Sequence, residues 1–127
     1  AAKPTSLIRE RTQQEFIDRV SKYLEDNIAK RLTLSDICRD NLVGRSYLQK
    51  IFREKTGGGA MEYFGTLKID AAKRMIREGT HNFTEIAALL GYNPIHYFSR
   101  HFKKVTGMTP SEYASSVKIL ATKNRTE

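Results

Sequence analysis

Apolar positions recur at helical spacing along most of the chain. Phe16, Val20, Tyr23, Leu24 and Ile28 share one face of a first helix, and Phe64, Leu67, Ala71 and Met75 share one face of another. No stretch alternates apolar and polar residues long enough to predict a strand, so the pattern predicts an all-α fold. The chain also repeats itself. At an offset of 50, Tyr47-Leu48 matches Tyr97-Phe98, Phe52 matches Phe102, Thr56-Gly57 matches Thr106-Gly107, and Glu62-Tyr63 matches Glu112-Tyr113. Upstream the offset falls to 49, pairing Thr33 with Asn82, Asp36 with Glu85, Ile37 with Ile86 and Cys38 with Ala87. Two copies are too few for a solenoid, which usually needs three or more.

Each copy carries the punctuation of a short helix followed by a longer one. Thr33-x-x-Asp36 and Asn82-x-x-Glu85 resemble capping boxes, and Asn41 and Gly91 are expected to end the short helices in the left-handed conformation. The longer helices run from about Arg45 to Thr56 and from Pro94, at the first helical position, to Thr106, with Gly57 and Gly107 closing them. Residues 60–78 form a connecting helix stopped by Gly79, and Thr109-Pro110-Ser111-Glu112 opens a last helix through about Val117. A short helix, a tight turn and a second helix, with small Cys38 or Ala87 at the close approach, match the helix-turn-helix pattern; an ordinary αα-hairpin uses the same devices, and the outer faces of the second helices decide between them. The expected organisation is therefore two helix-turn-helix subdomains, 15–57 and 80–118, joined by one long helix over 60–79, about seven helices in all. Residues 1–14 are expected to be a linker or appended segment and 119–127 a frayed tail.

The polar faces of the two longer helices carry the candidate chemistry. Leu48, Ile51, Phe52 and Lys55 gather on one side of the first; Arg45, Ser46, Gln49, Lys50 and Arg53 share an opposite arc of about 140°. On the second, Phe98, Phe102 and Val105 form the expected buried stripe, opposite Ile95, His96, Ser99, Arg100 and Lys103. The two arcs contain cations but no carboxylate, although the chain has 14 Asp and Glu residues. A solvated helix usually mixes signs, whereas a face meeting phosphates is penalised for each carboxylate. Arg45 and Arg100 suit guanine edges, Gln49 suits adenine, Ile95 a thymine methyl, and Ser46, His96 and Ser99 are adaptable short-range partners.

Composition agrees. Lys and Arg exceed Asp and Glu by 22 to 14, a formal charge of +8 that calls for an anionic partner. No apolar run approaches the roughly 18 residues of a membrane span, and no signal-peptide pattern opens the chain. A single cysteine excludes an internal disulfide. Cys38 reads as a small packing residue because its repeat partner is Ala87. His81, His96 and His101 lack zinc-ligand spacing, and Gly57-Gly58-Gly59 lacks the Lys-Ser/Thr of a phosphate-binding loop. Tyr47 and Tyr97 are candidates either for phosphate contact or for packing at a helix edge. No nucleophile, base and orienter stand together, so neither enzyme nor cofactor is expected, and a cytosolic location is. An acidic protein partner would want an apolar anchor among the basic arcs, where only Ile95 qualifies. Nonspecific single-strand or RNA binding would want exposed aromatics.

The run Phe83-Thr84-Glu85-Ile86-Ala87-Ala88-Leu89-Leu90-Gly91-Tyr92, then Tyr97-Phe98-Ser99-Arg100-His101-Phe102-Lys103-Lys104, then Gly107-Met108-Thr109-Pro110-Ser111-Glu112-Tyr113 resembles the C-terminal signature of AraC/XylS-type bacterial transcription regulators. The likeness covers about residues 33–117 and implies their DNA-binding domain: two helix-turn-helix units, each with its second helix in the major groove of double-stranded DNA. Base contacts implied by family position fall on Arg45, Ser46, Gln49, Lys50, Ile95, His96, Ser99 and Arg100. Phosphate contacts are expected from Arg53, Lys103 and Lys104, and from helix-start amides at Thr33 and Asn82. The resemblance also implies RNA polymerase as a partner, and an upstream effector or dimerisation domain outside this chain, which opens Ala1-Ala2 and reads as part of something longer. Three positions depart from the family: Gly58-Gly59-Ala60 replaces a Ser/Thr-Pro helix start, Gly65 interrupts the connector, and Lys68 stands where Arg is usual. The connector is therefore expected to begin raggedly.

Overall fold

The computed structural model describes the backbone of residues 4–126 and the side chains of residues 5–122. Among these residues it holds seven helices and no strand: α1 Pro4–Asp26, α2 Leu34–Asp40, α3 Arg45–Thr56, α4 Ala60–Glu78, α5 Phe83–Leu89, α6 Ile95–Thr106 and α7 Pro110–Thr126. They divide into two compact units. The first comprises the chain through Ile28 with Leu32–Gly65; the second comprises Ala29–Arg31 with Thr66 onward. Helix α4 runs unbroken through Gly65, contributing Ala60–Gly65 to the first unit and Thr66–Glu78 to the second.

In the first unit, α2 and α3 form the helix-turn-helix and Phe16, Val20, Leu24, Ile37, Leu48, Ile51 and Phe52 are buried. Phe16 meets Tyr47 edge-on at 5.1 Å, and Phe52 meets Tyr63 at 5.4 Å. The second unit repeats the arrangement with α5 and α6 over a core of Ile86, Ala87, Leu90, Phe98 and Phe102. Phe102 lies 5.7 Å from Phe98 and 5.6 Å from Tyr113, both edge-on. Both capping boxes form: Thr33 Oγ1 accepts from the Asp36 amide while Asp36 accepts from the Thr33 amide, and Asn82 and Glu85 do the same. The last helix opens on a third, between Thr109 and Glu112.

Several expectations are corrected. Helix α1 starts at Pro4, so the expected linker is helical from there. Its first half has no apolar stripe, but it lacks Gly and carries a 3.5 Å Arg11–Glu15 pair at i,i+4, so helix propensity prevails. At the other end α7 continues past Val117 to Thr126. Val105 is exposed rather than in the stripe of α6, and Lys55 is exposed on α3. On α4 the buried side chains include Lys68, Ile69 and Ala72, a wider face than Phe64, Leu67, Ala71 and Met75 alone. Cys38 is only half-buried, although Ala87 is buried as expected. Pro94 is the N-cap of α6 rather than its first residue, reached through a cis Asn93–Pro94 peptide.

The turn after α2 differs in a way that has a measurable consequence. Gly91, Gly57 and Gly107 take positive φ, but in the first copy the left-handed residue is Leu42 at φ 53°, not Asn41, which caps α2 at φ −105°. A leucine in that region costs about 1–2 kcal/mol, whereas Asn tolerates it through its short polar side chain. Leu42 is also 94% exposed, so its side chain recovers little by packing. Leu42→Asn should therefore stabilise the protein by about 1 kcal/mol, raising Tm by about 4 °C in a thermal melt.

Candidate nucleic-acid interface

The outer surface of each second helix is set by its buried stripe. Leu48, Ile51 and Phe52 pin the inner face of α3, leaving Arg45, Ser46, Lys50 and Arg53 exposed. Phe98 and Phe102 pin α6, leaving Ile95, His96, Arg100, Lys103 and Lys104 exposed, with Ser99 half-buried. Only Glu54 interrupts α3 with an acid, and α6 has none. Arg45, Lys50, Arg53 and Arg100 form no ion pair among the described residues, so no internal carboxylate cancels their charge. Arg45 is steadied by one bond to Ser35 Oγ at 3.1 Å, across from α3 to the first turn of α2. His96 lies against Tyr97, ring centroids 4.8 Å apart, and both are exposed.

Three predicted site residues are engaged elsewhere. Gln49 is half-buried, and its Oε1 accepts from the Ala60 amide at 3.0 Å. The reason lies in the repeat: where the second copy has Thr109-Pro110, the first has Gly59-Ala60, which supplies neither a capping hydroxyl nor a proline without an N–H. Gln49 reaches over from α3 to fill the gap, so α4 starts cleanly rather than raggedly. A Cβ on Gly59 would sit 3.1 Å from that oxygen. Bidentate pairing of Gln49 with adenine would require breaking this cap. The amides of Thr33 and Asn82 themselves are likewise already engaged within their capping boxes. Those N–H groups donate to Asp36 at 2.8 Å and to Glu85 at 2.9 Å, and each box sets a carboxylate where a phosphate would approach.

Beneath the second helix-turn-helix lies a buried cation. Lys68 Nζ donates to the carbonyl of Lys30 at 3.1 Å and to that of Leu90, the C-cap of α5, and sits 5.8 Å from the Tyr92 ring centroid. It replaces the expected bidentate Arg contact with two separate single bonds. Burial lowers its pKa from 10.5 to about 8. Between those values the unfolded chain holds a proton that the folded chain has lost, so stability rises with pH across the window and falls back as pH drops through 8. The urea midpoint should therefore climb from pH 8 to pH 9.5, and Lys68→Met should flatten that climb. Next to it, Tyr92 Oη and His101 Nδ1 lie 2.6 Å apart. Burial, with help from Lys104 and Lys68, pushes His101 below its usual range, which places it with packing rather than with the charged surface.

On the same unit, a cleft of about 490 Å³ opens beside α6, bounded by Ala29 and Arg31 of the α1–α2 linker, Thr84 and Ala88 of α5, and Gly91, Asn93 and Ile95. A smaller recess of about 140 Å³ next to it is lined by Arg31, Gly91, Tyr92, Asn93 and Tyr97. The linker meets the turn at Gly91, where an added Cβ would lie 2.6 Å from the Ala29 carbonyl oxygen. Neither Arg31 nor this cleft was singled out by periodicity, because the linker lies between α1 and α2, outside the helices whose faces the period defines.

Two helix-turn-helix units, each offering a basic second helix poor in carboxylates, define a helix-turn-helix protein of the nucleic-acid-binding kind. Residues 37–116 match the family model described as a helix-turn-helix domain. The HTH-type transcriptional activator RhaR of Yersinia pseudotuberculosis serotype O:1b (strain IP 31758) is 29% identical over 99 residues, 78% of this chain and 34% of the relative. The chain thus spans about a third of the length of that curated relative. A solved transcriptional regulator from Chromobacterium violaceum, described by its AraC-type DNA-binding domain, superposes with a TM-score of 0.75 at 20% identity, covering 84% of this chain and 96% of that one. The DNA-binding domain of AdpA, solved in complex with a target DNA, gives 0.73 at 17% identity, covering 80% and 92%. At these identities the two structures speak for the fold. The chain belongs to this helix-turn-helix family, as a DNA-binding domain of the AraC/XylS type. No helix among the described residues is long and apolar enough to cross a membrane.

Proposed function

We propose that this domain binds double-stranded DNA at specific sequences to regulate transcription, with α3 and α6 entering adjacent major grooves. The observation that carries the reading is the duplicated cationic face, free of carboxylates on its recognition arc in both copies. Helix α4 has 19 residues, about 28 Å at 1.5 Å per residue, against about 34 Å between successive major-groove faces. With helix widths added, one chain reaches two grooves, and a spacing short of a full turn favours bent DNA at a sequence-dependent cost. Arg45, Ser46, Lys50, Ile95, His96, Ser99 and Arg100 read bases in this account, and Gln49 joins them through its free amide nitrogen. Arg53, Lys103 and Lys104 hold phosphates, setting affinity and register.

The longer protein of which such a domain is part works in the cytoplasm, contacts RNA polymerase, and carries effector sensing or dimerisation in a separate domain. Neither a cofactor nor an enzymatic step enters the mechanism. Selection from a random duplex pool tests the reading: two conserved half-sites about one helical turn apart are expected. Equal retention of every duplex would refute sequence-specific binding.

A further inference from the structure

The two copies differ at one electrostatic position. In the first, Arg45 on α3 bonds Ser35 on α2, placing a guanidinium where the two helix starts meet. The repeat equivalents in the second are Ile95 and Thr84, so the cation is missing there. Both Ile95 and Thr84 line the cleft beside α6, and the charged side chain on that cleft is Arg31 from the α1–α2 linker. Arg31 is exposed and has neither a hydrogen bond nor an ion pair among the described residues. It continues into the adjoining recess, whose other polar side chains include exposed Asn93 and Tyr97. No carboxylate lines either space. The linker carbonyls of Ala29 and Lys30, held against Gly91 and Lys68, fix the backbone on which Arg31 is mounted.

We infer that Arg31 supplies the cation that the second helix-turn-helix lacks, and grips a DNA backbone phosphate in the recess with Asn93 and Tyr97. A phosphodiester fits the chemistry better than a base edge. The donors lining the recess are a guanidinium, an amide and a phenol contributed by the linker, the turn before α6 and α6 itself, rather than one planar fork aimed along a groove. The contact adjoins Ile95, placed above among the base-reading residues, so the inference rests on that reading and extends the interface to a linker outside either helix-turn-helix.

The test uses the full chain and its selected duplex, followed by fluorescence anisotropy between 50 and 200 mM salt. Binding of the parent checks the reading itself; only the difference made by Arg31 checks this inference. Arg31→Ala should weaken cognate and scrambled duplexes alike, by about tenfold at low salt, and make the slope of log K against log salt shallower by about 0.9. Tyr97→Phe should weaken both duplexes by a smaller factor. Neutral methylphosphonate linkages placed one at a time should reveal one position at which parent and Arg31→Ala bind equally. An unchanged salt slope, a loss confined to the cognate duplex, or the lack of such a position would overturn the assignment. So would inorganic phosphate raising the Tm of the parent but not of Arg31→Ala, which would mark a site for free anions.

Discussion

Gly91→Ala should destabilise the protein by at least about 2 kcal/mol, while Gly57→Ala should cost only about 1–2. Both glycines have positive φ, 76° and 85°, and both lose the same conformational freedom when a Cβ is added. They differ in surroundings. Nothing lies within 4 Å of a Cβ on Gly57, whereas one on Gly91 meets the Ala29 carbonyl oxygen at 2.6 Å and its carbon at 3.0 Å. Those atoms are backbone and cannot swing aside, so the linker must shift and loosen the Lys68–Lys30 bond with it. Paired urea titrations of the two variants check this, and equal losses would mean that the linker is not held where the structure puts it. Because the same contact mounts Arg31, Gly91→Ala should also weaken DNA binding under conditions where it remains folded.

Arg100→Ala should reduce affinity for the cognate duplex by about 5- to 150-fold, and the loss should be concentrated at one base pair. Arg100 is exposed on α6, a residue after half-buried Ser99 and on the arc opposite buried Phe98 and Phe102. It has no ion-pair partner to release among the described residues, so nothing internal offsets the loss of a base contact. Competition with duplexes varied at each position reads the effect: the variant should become indifferent at the base pair Arg100 contacts and stay selective elsewhere. Uniform weakening at every sequence would reassign Arg100 to a phosphate.

What the sequence made legible were the features built from short fixed spacings. The capping boxes at Thr33–Asp36 and Asn82–Glu85 join residues three apart, and both formed. The buried positions of α3 and α6 followed from their period, as did the closing Gly57 and Gly107. What was not legible depends on partners distant in the chain or on the last turn of a helix. Gln49 looked like a free polar residue because Ala60, the amide it caps, lies eleven positions away and lacks its usual proline. Leu42 rather than Asn41 took the left-handed position because helix ends are set by a single residue, which pattern places only to within one or two. Val105, in the final turn of α6, is exposed although Phe98 and Phe102 on the same helix are buried, an end effect that the period alone does not mark. For the linker, the repeat offered only half a signal: aligning Arg45 with Ile95 marks a missing cation, but that Arg31 lies on the same cleft as Ile95 emerges only from the fold.

If both second helices of one chain read neighbouring major grooves, as proposed, binding must depend on the spacing of the two half-sites. Anisotropy with duplexes carrying both selected half-sites, their separation changed by five base pairs to place them on opposite faces of the DNA, measures this. Affinity should fall to that of a duplex with a single half-site. Undiminished binding to the respaced duplex would contradict the account.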